Sequence, residues 1–152
     1  MGQFILSLSR ILLSLVFAFT GYSKVVGYAN VQDMAKWKER VKGLKIPGTN
    51  DPLPNPDLLA QIVAYGEIVG GIMLFIGILS RVTAFGLFVF VIIASVLGHN
   101  FWTTMGDPAM AQATFGNIGQ FLKNMGIAGG LLLIIAAGGG SVGIDAMFRR
   151  SA

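Results

Sequence analysis

Glu67 is the residue on which any chemistry in this chain has to be built. It stands inside LLAQIVAYGEIVGGIMLFIGIL (58–79), a run with no other charged side chain. A carboxylate at the centre of a bilayer costs ~2.5–3.5 kcal/mol on insertion scales, so it calls for a cation, a proton or a polar ligand. Lys24 and His99, the sole histidine, are the groups placed to answer it. Proton donors beside an apolar slot suit proton-coupled chemistry on a lipophilic carrier such as a quinone. Glu67, His99 and Lys24 are therefore the candidate catalytic residues. Tyr22, Tyr65, Trp102, Asn100 and Asn124 are the candidate lining of a ligand site. Plainer roles exist for some of them. Lys24 can snorkel to headgroups, and a histidine near an interface costs little unpaired. At Glu67 a purely structural role still needs a buried partner.

A second group of charges reads differently. Arg10 interrupts the first apolar run, Arg81 follows the second, and Asp145 lies beyond the last. Arg10 with Asp145 reads as a structural ion pair tying the first span to the fourth. Arg81 is the other unlike charge within reach, or simply a topology signal.

Composition limits the chemistry further. The chain has no cysteine, so it offers no thiolate nucleophile and no ligands for an iron–sulfur cluster. One histidine excludes a haem held by two histidines within a single chain. No metal centre is assigned. Any redox role must use a diffusible lipophilic carrier such as a quinone, or a partner protein. The net charge of +4 does not point to nucleic acid, because the basic residues sit beside apolar spans, where such clusters meet anionic headgroups.

The elements that must position these residues are membrane spans. Of the 152 residues, 54% are hydrophobic and 12% charged, about half the charge of an average soluble domain, and mean hydropathy is +0.72. Four segments approach the ~20 apolar residues a bilayer requires: about 4–26, 58–79, 82–102 and 121–137. Arg10 breaks the first run and no clean cleavage site follows, so it reads as a retained span rather than a secretory signal. Ser80 and Arg81 read as a two-residue turn, which forces spans two and three antiparallel. Gly138, Gly139 and Gly140 end the fourth span.

Between spans one and two, Asn30 reads as the cap of a short helix over about 30–44, with Asp33 in its first turn. Val31, Met34, Trp37, Val41 and Leu44 form an apolar stripe against a largely basic face, the pattern of a helix lying in the headgroup region. A solvated loop helix is the alternative. Small-residue pairs at Gly66/Gly70, Ala94/Gly98 and Gly126/Gly130 favour close helix packing in lipid. The expected fold is all-α: a four-helix membrane bundle, one domain over 1–152, with an interfacial amphipathic helix.

Threading four antiparallel spans sorts the polar residues into two layers. Lys24, His99, Asn100, Trp102, Lys123 and Asn124 share one side, with Glu67 roughly 13 Å deep by a rise of ~1.5 Å per residue. Arg10, Arg81 and Asp145 share the other, and both termini fall together. Lys and Arg are more numerous on the side of the 24–57 loop, which by the positive-inside rule faces the cytoplasm, although part of that excess belongs to the short helix.

The sequence also resembles the DoxX family of small bacterial membrane proteins over nearly its whole length. The resemblance rests on FTGYSK closing the first span, KGLKIP in the loop, EIVGGIMLFIGILSRVTA across spans two and three, GHNFW, FLKNMGIAGGLLLI, and a Gly-rich stretch leading into Asp145. It implies a multi-pass protein of the bacterial inner membrane, associated with oxidoreductase systems and with other membrane or redox subunits as partners. It supplies no agreed catalytic residues. The proline-rich 48–57 segment is longer than the family's loops and suggests a docking surface. Two functions follow as expectations: a membrane subunit of a respiratory or redox assembly binding a quinone near Glu67, or a non-catalytic accessory subunit stabilising a larger complex. A small-molecule carrier is less favoured, because the four spans show no internal repeat.

Overall fold

In the computed structural model the described residues are 1–27, 33–49 and 51–150. Six α-helices follow in order: α1 (Gly2–Val26), α2 (Met34–Lys42), α3 (Pro56–Ile76), α4 (Ser80–Gly98), α5 (Ala111–Ala137) and α6 (Ile144–Arg150). Helices α1, α3, α4 and α5 are long and apolar enough to cross a membrane. The fold is all-α with four such spans and a short helix between the first two.

The chain ends its helices where its chemistry changes. α1 stops at Gly27, which takes a left-handed conformation (φ 69°) and donates its N–H to Ser23. Proline at the first position of α3 gives up an N–H that would have had no helical partner. The α3–α4 turn is Gly77–Leu79 rather than Ser80–Arg81, which are instead the first residues of α4. Gly77 and Leu79 both adopt positive φ there. α4 ends at Gly98, so His99, Asn100 and Trp102 lie in the bend and 3₁₀ turn that follow, not on a span helix. α5 starts ten residues before the expected 121. Its first three turns are too polar to register as a span, yet nothing after Pro108 stops a helix. A 3₁₀ turn at Pro108–Met110, capped by Asp107, leads directly into it.

α2 is present, but Asp33 is its cap and not a first-turn residue, accepting the Lys36 N–H at 2.9 Å. The expected cap Asn30, and Val31 of the stripe, lie outside the described residues. The rest of the apolar face turns onto α3: Val41 is buried and Trp37 donates to the Ala60 carbonyl at 2.9 Å. Protein covers Val41, while Met34, Trp37 and Leu44 stay partly exposed. Lys42 adds an ion pair to Asp57 at 3.6 Å.

The spans form two close pairs, α1 with α3 and α4 with α5, closed into a ring by lighter α3–α4 and α1–α5 contacts. Glycine sets the first pair. A Cβ on Gly21 would meet backbone of Ala64 and Ile68, and one on Gly71 would meet backbone of Ala18. Of the small-residue pairs read from sequence, Gly70 packs on Leu87 and Gly130 on Leu13, while Gly66, Gly98 and Gly126 face open space. The core joins Phe17, Leu74, Leu87, Val91, Ala128 and Leu131. Toward the loop-side end the next turn of each helix is polar. Phe17 gives way to Thr20 and Lys24, Gly71 to Glu67, Val91 to Ser95, and Ala128 to Asn124.

Candidate functional site

Glu67 belongs to the buried stripe Ala60, Ala64, Glu67, Gly71 and Leu74, whose spacing of three and four keeps one face of α3 against α1. Because Gly21 lets the two backbones close up, the Lys24 ammonium reaches the Glu67 carboxylate and forms an ion pair with it. The side chains are 17% and 7% exposed respectively. The Thr20 hydroxyl, which donates to the Phe17 carbonyl at 3.2 Å, lies beside Glu67. On its other side the Lys24 nitrogen lies 5.0 Å from the centre of the Trp37 ring, within the range of a cation–π contact. The bond from Trp37 to Ala60 holds that ring in place. Lys24 is thus enclosed between a carboxylate and an indole face.

The depth of this centre depends on the end from which it is counted. Gly21 lies against Ala64–Ile68 and Gly71 against Ala18, a register that puts the end of α1 level with about residue 62 or 63. Glu67 is then only ~7 Å inside that end at ~1.5 Å per residue, not the 13 Å counted from the start of span two. That shallow position brings it within reach of a lysine two residues from the end of α1.

The other expected site residues divide. Asn124 lies on the α4–α5 pair, donating to Ser95 at 3.0 Å, and His99 follows the end of α4, where Asn117 faces it. Asn100 sits beside them in the bend. Trp102 packs edge-on against Phe101 and Phe121 at 5.2 and 6.1 Å, and is itself exposed. Tyr65 is exposed on α3. Tyr22 borders an open apolar groove of about 780 Å³ along α1 and α3, together with Leu15, Phe19, Thr20, Ile68 and Ile72. Thr20 belongs both to this groove and to the Glu67 cluster. Trp37, Thr20 and Ser95 were not anticipated as site residues. Trp37 stood in the sequence only as part of an apolar stripe, which does not say what the indole N–H meets.

Arg10 and Asp145 share a cluster at the opposite end. Arg10 is 2% exposed and donates to the Phe75 carbonyl at 3.3 Å. Its guanidinium fills the space that side chains on Gly77 and Gly143 would need. Asp145 accepts the Leu79 and Ser80 N–H groups at 2.8 and 2.7 Å, and its own N–H donates to Gly77. It therefore caps α4 from a segment 65 residues away. Burial pushes its carboxyl up. The hydrogen bonds from Ser80 and Leu79, helped by the charge of Arg10, outweigh this and hold it below the usual range. Arg81 is exposed on the first turn of α4. The Val142 N–H reaches the buried Ser7 hydroxyl, so this end joins α1, the α3–α4 turn and the C-terminal segment.

Comparison with known proteins agrees with this architecture. The DoxX family pattern matches residues 5–100, and that of the SURF4 family matches residues 56–150. The inner membrane protein YphA of Escherichia coli K12 is 29% identical over 142 residues, covering 93% of this chain and 88% of its own length. The inner membrane protein YqjF of the same organism is 28% identical over 142 residues, covering 93% and 90%. No solved structure matches. The DoxX match takes in α1, α3 and α4, and with them Lys24, Trp37 and Glu67; the chain belongs to the DoxX family.

Proposed function

We propose that this chain is an inner-membrane subunit of a bacterial redox assembly, and that the Lys24–Glu67 pair receives the polar head of a quinone-like molecule. The inner-membrane setting follows from its relatives and its four spans. One observation carries the ligand: the apolar groove along α1 and α3 is lined by Thr20, which lies beside Glu67, and by Ile68, the residue that follows it. A long apolar tail fits the groove, and its head then meets a hydroxyl, a carboxylate and an ammonium. Lys24 donates to a quinone oxygen while Glu67 exchanges a proton with it. The electrons come from a partner subunit, since a chain without cysteine and with one histidine has few ligands for a redox centre of its own. Tyr22 keeps its lining role on the groove, whereas Tyr65 and Trp102 do not border it.

The test starts from protein purified in mild detergent with its natural partners. Quinone should be recovered by organic extraction. Glu67→Gln should still assemble but lose roughly 100-fold in quinone-dependent turnover, the scale of a lost acid–base group. Full turnover in Glu67→Gln would retire the reading. The accessory role is the second reading, favoured by the exposed turn over 45–49 and 51–52, which a Lys45–Pro52 bridge holds together. Recovery of partner subunits without quinone would support it.

A further inference from the structure

The outer half of the α4–α5 seam contributes nothing to the apolar core. On α5 the buried residues are Thr114 and then Ala128, with none between. On α4 the last buried residue after Val91 is Ser95. Polar pairs run through the interval, beside the contact of Phe121 with Phe101. Ser95, 0% exposed, accepts from Asn124 at 3.0 Å and donates to the Val91 carbonyl at 2.6 Å. Farther outward Asn117 faces His99. At the mouth, the Thr104 and Thr114 hydroxyls are 2.7 Å apart. His99 adds a buried Nδ1 with no hydrogen-bond partner among the described residues. A buried polar atom of that kind is normally satisfied, and in a polar setting ordered water does it.

Interhelical Ser and Asn bonds can also be dry contacts that hold two membrane helices together. Two features argue against a dry seam: the polar pairs continue outward to the loop-side end, and one of them leaves an imidazole nitrogen unsatisfied. We propose that the outer half of the α4–α5 seam is a hydrated path admitting water and protons from the loop side as far as Ser95 and Asn124. Its inner end stops on the loop side of Glu67. With Gly70 against Leu87, Ser95 lies about five residues, or ~7 Å along the axis, outward of the carboxylate. The path stands on its own geometry; its use as the proton inlet for Glu67 rests on the function proposed above.

The natural absence of cysteine makes the test direct. Single variants Ser95→Cys, Asn117→Cys and Asn124→Cys, with Ala128→Cys in the core and Leu122→Cys on the outer surface as controls, are reconstituted in lipid vesicles. Each is treated with a membrane-impermeant methanethiosulfonate. The thiolate, which forms where water reaches it, attacks the reagent's sulfenyl sulfur, giving a mixed disulfide and releasing methanesulfinate. The three seam positions should react at least about tenfold faster than both controls, and only from the loop side. Seam rates no faster than those of Ala128→Cys would overturn the path, whatever Glu67→Gln does to turnover. Should the seam variants fail to assemble, deuterium exchange at the C2 position of His99 reads the unaltered chain. Exchange within about tenfold of free histidine supports a hydrated seam, and an imidazole that does not exchange refutes it.

Discussion

Lys24→Met should be the most damaging single substitution at the loop-side end, costing about 3–5 kcal/mol, because it leaves a buried carboxylate with no counter-charge. Glu67→Met should cost clearly less. Lys24 is two residues from the end of α1, and a lysine freed there can extend to the headgroups, whereas the Glu67 side chain is enclosed and has no such exit. The double variant Lys24→Met/Glu67→Met should recover most of the lost stability, since a buried ion pair replaced by apolar groups of similar volume is often neutral. Thermal and denaturant unfolding in one detergent, followed by the fluorescence of Trp37 beside Lys24, measures all three. Equal losses in the two single variants would mean that the pair is not enclosed as described.

At the other end, Asp145→Ala should lower stability by roughly 2–4 kcal/mol, from the loss of the two charge-assisted hydrogen bonds that cap α4. The effect should also depend on pH. Hydrogen bonds hold the folded carboxyl below its usual range, so the stabilisation is complete above the ordinary aspartate value of about 3.9. It is lost as pH falls below that value through the folded one. Asp145→Asn, which cannot titrate, should lack that fall when unfolding is compared between about pH 5 and pH 2.5. An identical acid profile in the two proteins would show that Asp145 does not supply it. Deleting the segment after Gly138 should be at least as harmful, because Ser7, Gln3, Gly77, Leu79 and Ser80 all bond to it.

The spans were legible in the sequence because length and hydropathy alone define them, and the layering of polar residues followed from antiparallel threading. Glu67 was legible for a related reason: a lone carboxylate flanked by glycines at i+3 and i+4 announces a packed face. What stayed hidden was decided between elements. Nothing in the residues around Trp37 says whether its stripe meets lipid or α3, and the structure turns it onto α3 as the cover over Lys24. The early start of α5 escaped detection because AQATFGNIGQ is helical without being apolar. α6 escaped because seven residues after a glycine run carry little periodicity, and only its contact with the α3–α4 turn gives it a place. Gly66 and Gly71 look alike in sequence. Their difference is the direction each faces, which only the helix register decides.

The central claim is that a lipophilic headgroup meets the Lys24–Glu67 pair from the α1–α3 groove. Photolabelling of the protein in its native membrane with a long-chain azido-quinone tests it most directly. Label should appear on peptides carrying Thr20 to Lys24 and Glu67 to Ile72, should be competed away by excess unlabelled quinone, and should fall sharply in Glu67→Gln. Label confined to the Phe101–Trp102–Phe121 cluster, or label at α1 and α3 that excess quinone does not displace, would contradict it.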